Sequence, residues 1–228
     1  MATITMTDAL ILCRTLRLAS PALPIGAYSY SQGLETAVAK GWVTDEPEAY
    51  DWIAGLLTHS VARLDLPLLC RLRRALAACD HAGLVSWSHY LRASREAREL
   101  ADEDRALGTS LLRLLGDDPW ARRADAADVP PSLPLGFAAA SLAWDLPEPA
   151  ALTAYAWSWL ENQVAAALKT VPLGQSAGQR LLSGMFAALA RAVTEAPAIG
   201  DDGLGSLAPG FAIACADHEA QYTRLFRS

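Results

Sequence analysis

Residues Leu18 to Glu35 read LASPALPIGAYSYSQGLE, and their punctuation decides how the chain begins to fold. Pro21 and Pro24 fix φ, remove two backbone donors and bias the residue before each away from helix. Gly26 permits backbone angles that other residues resist. Ser29, with Gln32 three positions on, is spaced as a capping box that restarts a helix. A plain connector would be shorter and more polar. Leu23, Ile25, Tyr28 and Tyr30 make this one a segment that packs down on the protein or presents aromatics to a partner.

Helical spacing extends outward from that break in both directions. Upstream, Ala9 to Cys13 is apolar, but Asp8 precedes it and Arg14 and Arg17 follow. A secretory signal carries its positive charge before a longer apolar core, so this reads as a first amphipathic helix. Downstream, Ile53, Leu56, Leu57 and Val61 share a face behind a Thr44-Asp45-Glu46-Pro47 start, with Asp45 and Glu48 as a capping pair. Pro67 is expected to punctuate the next turn, after which Leu68, Leu69, Leu72 and Leu76 continue the stripe. A helix from about Leu84 carries Trp87 and Leu91 into the charged run Arg95-Glu96-Ala97-Arg98-Glu99, followed by Leu107, Leu111, Leu112 and Leu115.

Residues 117–134, with four Asp and repeated Pro, are expected to form an irregular surface loop. Helices then resume near 135–144, 149–170 and 175–195. A loose stretch over 197–209 precedes a short helix and a tail at 221–228. No strand-like alternation and no solenoid repeat is present. The expectation is a single all-α domain over 1–228, a bundle of about eight to ten helices with no sheet.

Composition narrows the function. The 228-residue chain is 52% hydrophobic, enough for a substantial core, and its net charge of −6 offers no basic stripe for nucleic acid. The longest apolar-leaning run, Leu135 to Trp144, falls short of the ~20 residues of a spanning helix, which argues against a membrane. Cys13, Cys70, Cys79 and Cys215 show no paired spacing and read as reduced, buried thiols of a cytoplasmic protein.

No P-loop, HExxH, paired ExxH or GxSxG motif is present, so no catalytic constellation suggests itself. Cys215 and His218, three apart on one helical face, offer two ligands to an ion, short of a complete site. A buried thiol beside a surface imidazole accounts for them without metal. Arg95 with Glu99 and Arg98 with Asp102 are spaced as i,i+4 pairs on a solvated helix. Val171 to Ser176 breaks one helix and begins another, with Gln175 and Ser176 as caps. At the chain's end, Tyr222, Leu225 and Phe226 interleave with Arg224 and Arg227, the composition of a segment that docks in a partner's groove.

Four segments in order resemble the urease accessory protein UreF family: Leu18–Glu35, Arg95–Leu115, Val171–Leu182 (VPLGQSAGQRLL) and His218–Ser228 (HEAQYTRLFRS). Ala27 stands where a second Gly is common in that family. The resemblance implies an all-helical, non-enzymatic urease maturation scaffold. It implies a homodimer that binds UreD (also called UreH) and through it the GTPase UreG, delivering nickel to the urease apoprotein. Nickel would be in transit, with no cofactor bound tightly. The partner-contact candidates are Tyr28, Tyr30, Gln32 and Glu35; Arg95, Glu96, Arg98 and Glu99; Gly174, Gln175 and Gln179; and Tyr222, Arg224, Leu225, Phe226 and Arg227. Two rival readings are a helical metal-dependent enzyme using Cys215, Asp217, His218 and Glu219, and a helical scaffold for an unrelated complex.

Overall fold

A computed structural model of the chain describes residues 5–228. Among the described residues there is no strand, and the fold is a single all-helical bundle. Eight consecutive buried residues, Pro134 to Ser141, mark its centre. They belong to α8 (Leu133–Ala143), which is apolar on every side, and a helix hydrophobic all round must be enclosed. Around it pack α4 (Leu66–Ala78), α6 (Arg98–Leu115), α7 (Pro119–Ala126) and α9 (Glu148–Thr170), while α10 (Gln175–Glu195) lies along α9. Gly108 lets α6 and the start of α8 close up, because a Cβ there would fall 2.3 Å from the Ser132 carbonyl oxygen.

Local chemistry starts most of these helices. Thr5 and Asp8 form a reciprocal capping box on α1 (Met6–Leu18). Asp45, Asp80 and Ser132 accept N-terminal amides on α3 (Glu46–Leu56), α5 (His81–Ala93) and α8, satisfying donors a helix leaves open. The anticipated box at Ser29 and Gln32 does not form. Instead Ala27–Ser29 is a single 3-10 turn, and α2 (Leu34–Ala39) begins after Gly33 at φ 75 with no side-chain cap. The cap expected from Gln175 and Ser176 is likewise absent, since α10 starts from Gly174 without one.

Pro67 does not interrupt the chain. Leu57–Asp65 widens into π-helix and joins α3 to α4, making one helix from Glu46 to Ala78. A proline inside a helix leaves the carbonyl four residues back without its donor. Here that carbonyl, on Arg63, accepts from the Gly205 amide at 3.2 Å, and the His59 carbonyl accepts from Leu207 at 3.0 Å. The 203–207 loop thus supplies the donors that a π stretch and a proline withhold. By length and composition Glu46–Ala78 is apolar enough to cross a membrane, which the sequence reading overlooked, but 67% of its most apolar window is buried inside this fold.

Two further expectations are corrected. Residues 117–134 are not an irregular loop: Asp118 caps α7, a two-turn helix whose Ala121 and Ala124 are buried. The cysteines divide, with Cys70 and Cys215 buried and Cys13 and Cys79 exposed; none is in a disulfide. Burial raises the Cys70 thiol to about 12, with Glu148 nearby pushing the same way.

Candidate functional site

Residues 28–35, 95–104 and 218–228, distant in sequence, meet at one polar junction. Gly26, Gln32 and Gly33 all have positive φ, which coils the segment so that its amides face inward. Gly33 is also a point of close approach: a Cβ there would sit 2.9 Å from Cys215 Sγ on α11 (Pro209–His218). Into the coil goes the end of the chain. The Ser228 carbonyl oxygen accepts from the Ser31 amide (2.7 Å), the Gln32 amide (3.0 Å) and the Ser31 hydroxyl (2.6 Å), while the Arg227 amide donates to the Ser29 carbonyl.

Three carboxylates organise the rest. Glu35 accepts the Leu225 and Phe226 amides at 2.7 and 2.9 Å, and its Oε1 also takes Gln221 Nε2. Glu99 takes His218 Nδ1 at 2.6 Å on one oxygen and the Arg224 guanidinium on the other. Glu103, at the bottom, accepts from the Ser228 hydroxyl and from Gln32 Nε2, both at 2.7 Å. Its burial raises it to about 7 against the pull of those two donors. Glu219 then reaches back to the Arg98 amide at 2.9 Å, supplying the N-terminal acceptor that Ala97, the cap residue of α6, lacks.

Beneath lies a second cluster. The half-buried Arg95 guanidinium bridges Asp65 (2.7 Å) and Asp104 (3.0 Å). Tyr155 donates to Asp65 at 3.0 Å, and Asp104 accepts the Leu133 amide at 2.8 Å. Burial raises Asp104 while Arg95 opposes it, and burial with Asp65 alongside lifts the Tyr155 phenol well above its usual value. Trp159 Nε1 donates to Gln32 Oε1 at 2.8 Å, and Asn162 Nδ2 to the Tyr30 carbonyl at 2.9 Å. A cavity of about 40 Å³ remains between Gln32, Glu103, Arg95 and Tyr155.

The structure therefore redistributes the sequence candidates. Tyr30 is buried, Gln32 and Arg95 are drawn inside, and Phe226 joins the core with Lys169 Nζ 5.3 Å from its ring centre. The i,i+4 reading of the charged run fails, because Arg95 precedes α6 and turns inward to Asp65 and Asp104. Tyr28 donates to Glu161 at 2.9 Å, and burial with that partner pushes its phenol up. Glu96, Arg98, Tyr222, Arg224, Leu225 and Arg227 face solvent. Gly174, Gln175 and Gln179 are exposed at the α9–α10 turn, apart from the junction.

His218 is no surface imidazole: it is fully buried between Glu99 and Glu35. Burial raises the Cys215 thiol strongly. Among the described residues no group of three or more His, Cys, Asp or Glu side chains is placed to hold a metal ion. Sequence reasoning missed Asp65, Glu103, Asp104 and Tyr155. One signal was available: Glu103 sits on the Leu100–Leu107–Leu111 stripe, where an acid is out of place.

The junction ties the protein's own segments together. The UreF family model matches residues 43–186. Urease accessory protein UreF of Azoarcus sp. strain BH72 is 49% identical over 224 residues, covering 95% of both chains. Its counterpart from Chromohalobacter salexigens is 45% identical, covering 97% of this chain and 96% of the relative. Bifunctional urease accessory protein UreEF of Bordetella bronchiseptica is 46% identical, covering 97% of this chain and 53% of that longer protein. The chain belongs to the UreF family of urease accessory proteins, maturation factors rather than catalysts.

Proposed function

We propose that this protein is a scaffold in urease maturation, acting as a homodimer that joins UreD/UreH and the GTPase UreG in the complex delivering nickel to the urease apoprotein. Nickel passes in transit, without a tight site on this chain. The observation that carries the reading is the posture of residues 221–228. Their backbone is pinned through Glu35, Ser31 and Gln32, yet Tyr222 is fully exposed and Leu225 is 64% exposed. Large apolar side chains held outward by a rigid base lose little entropy on docking, which favours a protein partner. The UreEF relative, in which a UreF-like chain is part of a bifunctional accessory protein, supports placement within a urease accessory assembly.

The test is capture of UreD by the Tyr222→Ala/Leu225→Ala variant. Loss of capture with an unchanged urea midpoint supports the assignment of this face; capture at wild-type level overturns it. Deleting residues 224–228 is a poorer probe, because it also removes buried Phe226 and Ser228. The broader role is read from the nickel content of urease purified with and without this gene: equal nickel in both would overturn it.

A further inference from the structure

A second cavity, of about 110 Å³, opens on the other side of Arg95. Its walls come from α5 (Ser88, Arg92), α6 (Asp102, Arg105) and the Pro130–Ser132 approach to α8. Ser88 lines it, is 1% exposed, and its hydroxyl has no hydrogen-bond partner. A buried hydroxyl left without a partner is costly, and this one borders a cavity in which a partner could sit. Both carboxylates at the wall are already engaged: Asp104 by Arg95 and the Leu133 amide, Asp102 by Arg105 at 3.1 Å. Arg92 is different. One turn beyond Ser88 on the same helix face, Arg92 is exposed to solvent at the mouth of the cavity, and its guanidinium has no hydrogen bond or ion pair among the described residues. The wall thus carries one uncompensated positive charge beside one unused buried donor.

We propose that this cavity binds a small oxyanion of the phosphate class, gripped by the Arg92 guanidinium and the Ser88 hydroxyl with Arg105 at the rim. A guanidinium fork matches two oxygens of such an ion, and the hydroxyl matches a third. A buried water needs only about 10–15 Å³ of such space, so the cavity has room for a group of several heavy atoms. Pro130 and Pro131 bring no amide to that wall.

The experiment titrates the full chain with inorganic phosphate at constant ionic strength, by calorimetry and by thermal midpoint. Saturable one-to-one binding is expected, weakened about tenfold in Arg92→Ala. Ser88→Ala, which leaves net charge unchanged, is expected to weaken it about threefold. Arg63→Ala removes an exposed arginine from another face and should bind as wild type does. No saturable binding would mean that water alone fills the cavity, overturning the proposal. An equal loss in Arg63→Ala and Arg92→Ala would reduce the effect to general electrostatics and overturn it as well.

Discussion

The first helix and the last eight residues hold to the protein by opposite means. Helix α1 is regular, reciprocally capped and 13 residues long, yet Met6, Leu10, Leu12 and Leu16 are all exposed, and only Leu18 is buried. Residues 221–228 have no helix, yet Phe226 and Ser228 are buried and the backbone is fastened at Ser29, Ser31, Gln32 and Glu35. Regular secondary structure satisfies a segment's own hydrogen bonds and so asks little of its neighbours. An irregular segment must find each partner elsewhere, and finding them in the core anchors it more firmly than helicity alone would.

The sharpest way to break this contrast is to remove the floor of the junction. Arg95→Ala leaves Asp65 and Asp104 facing each other without their cation, and a loss of about 3–5 kcal/mol is expected in urea unfolding. A loss below about 1 kcal/mol would mean that the anchoring does not depend on this cluster. Glu35→Ala is expected to cost about 2–3 kcal/mol by leaving the Leu225 and Phe226 amides without acceptors. It should also speed hydrogen exchange at those amides while α1 exchanges as before. Unchanged exchange at Leu225 and Phe226 would show that Glu35 does not hold the segment.

Glu103 adds a pH dependence to one side of the comparison only. Its carboxyl is raised to about 7 in the fold from an ordinary value of 4.5. Between those two pH values the unfolded chain has released a proton that the folded chain retains. The Glu103 contribution to stability is therefore full below about 4.5, falls as pH rises and levels off above about 7, a change of about 3 kcal/mol. Glu103→Gln should flatten that slope in urea midpoints measured from pH 4.5 to 7.5; an identical slope would assign it to another group. The smallest effect belongs to α1. Leu10→Ser and Leu16→Ser alter half-exposed positions and should each change stability by about 0.5 kcal/mol or less, and a larger loss would show α1 to be better anchored than its exposure suggests.

Helix existence was largely legible because long apolar stripes and local caps act within one turn. The Asp45 cap needed no tertiary information, and neither did the long runs that became α9 and α10. Pro67 and Arg95 were misread for a shared reason: each has a locally sound interpretation that a distant partner overrides. Pro67 stays helical because Gly205, far along the chain, donates to the orphaned Arg63 carbonyl. Arg95 leaves solvent because Asp65 and Asp104 converge on it. Residues 117–134 read as a loop because charge and proline masked two alanines that pack inward on α7.

An all-helical chain, the positions of most of its helices and, through four short segments in order, its membership of the UreF family were all readable along the sequence. These depend on periodicity and on residue types in sequence, which are local quantities. Tertiary packing settles which polar residues are inside. It placed His218 between Glu99 and Glu35, Glu103 beneath Ser228, and Tyr30 and Phe226 out of solvent while Tyr222 and Leu225 stayed in it. Burial and pairing belong to groups brought together from distant parts of the chain, and no spacing along one segment encodes them.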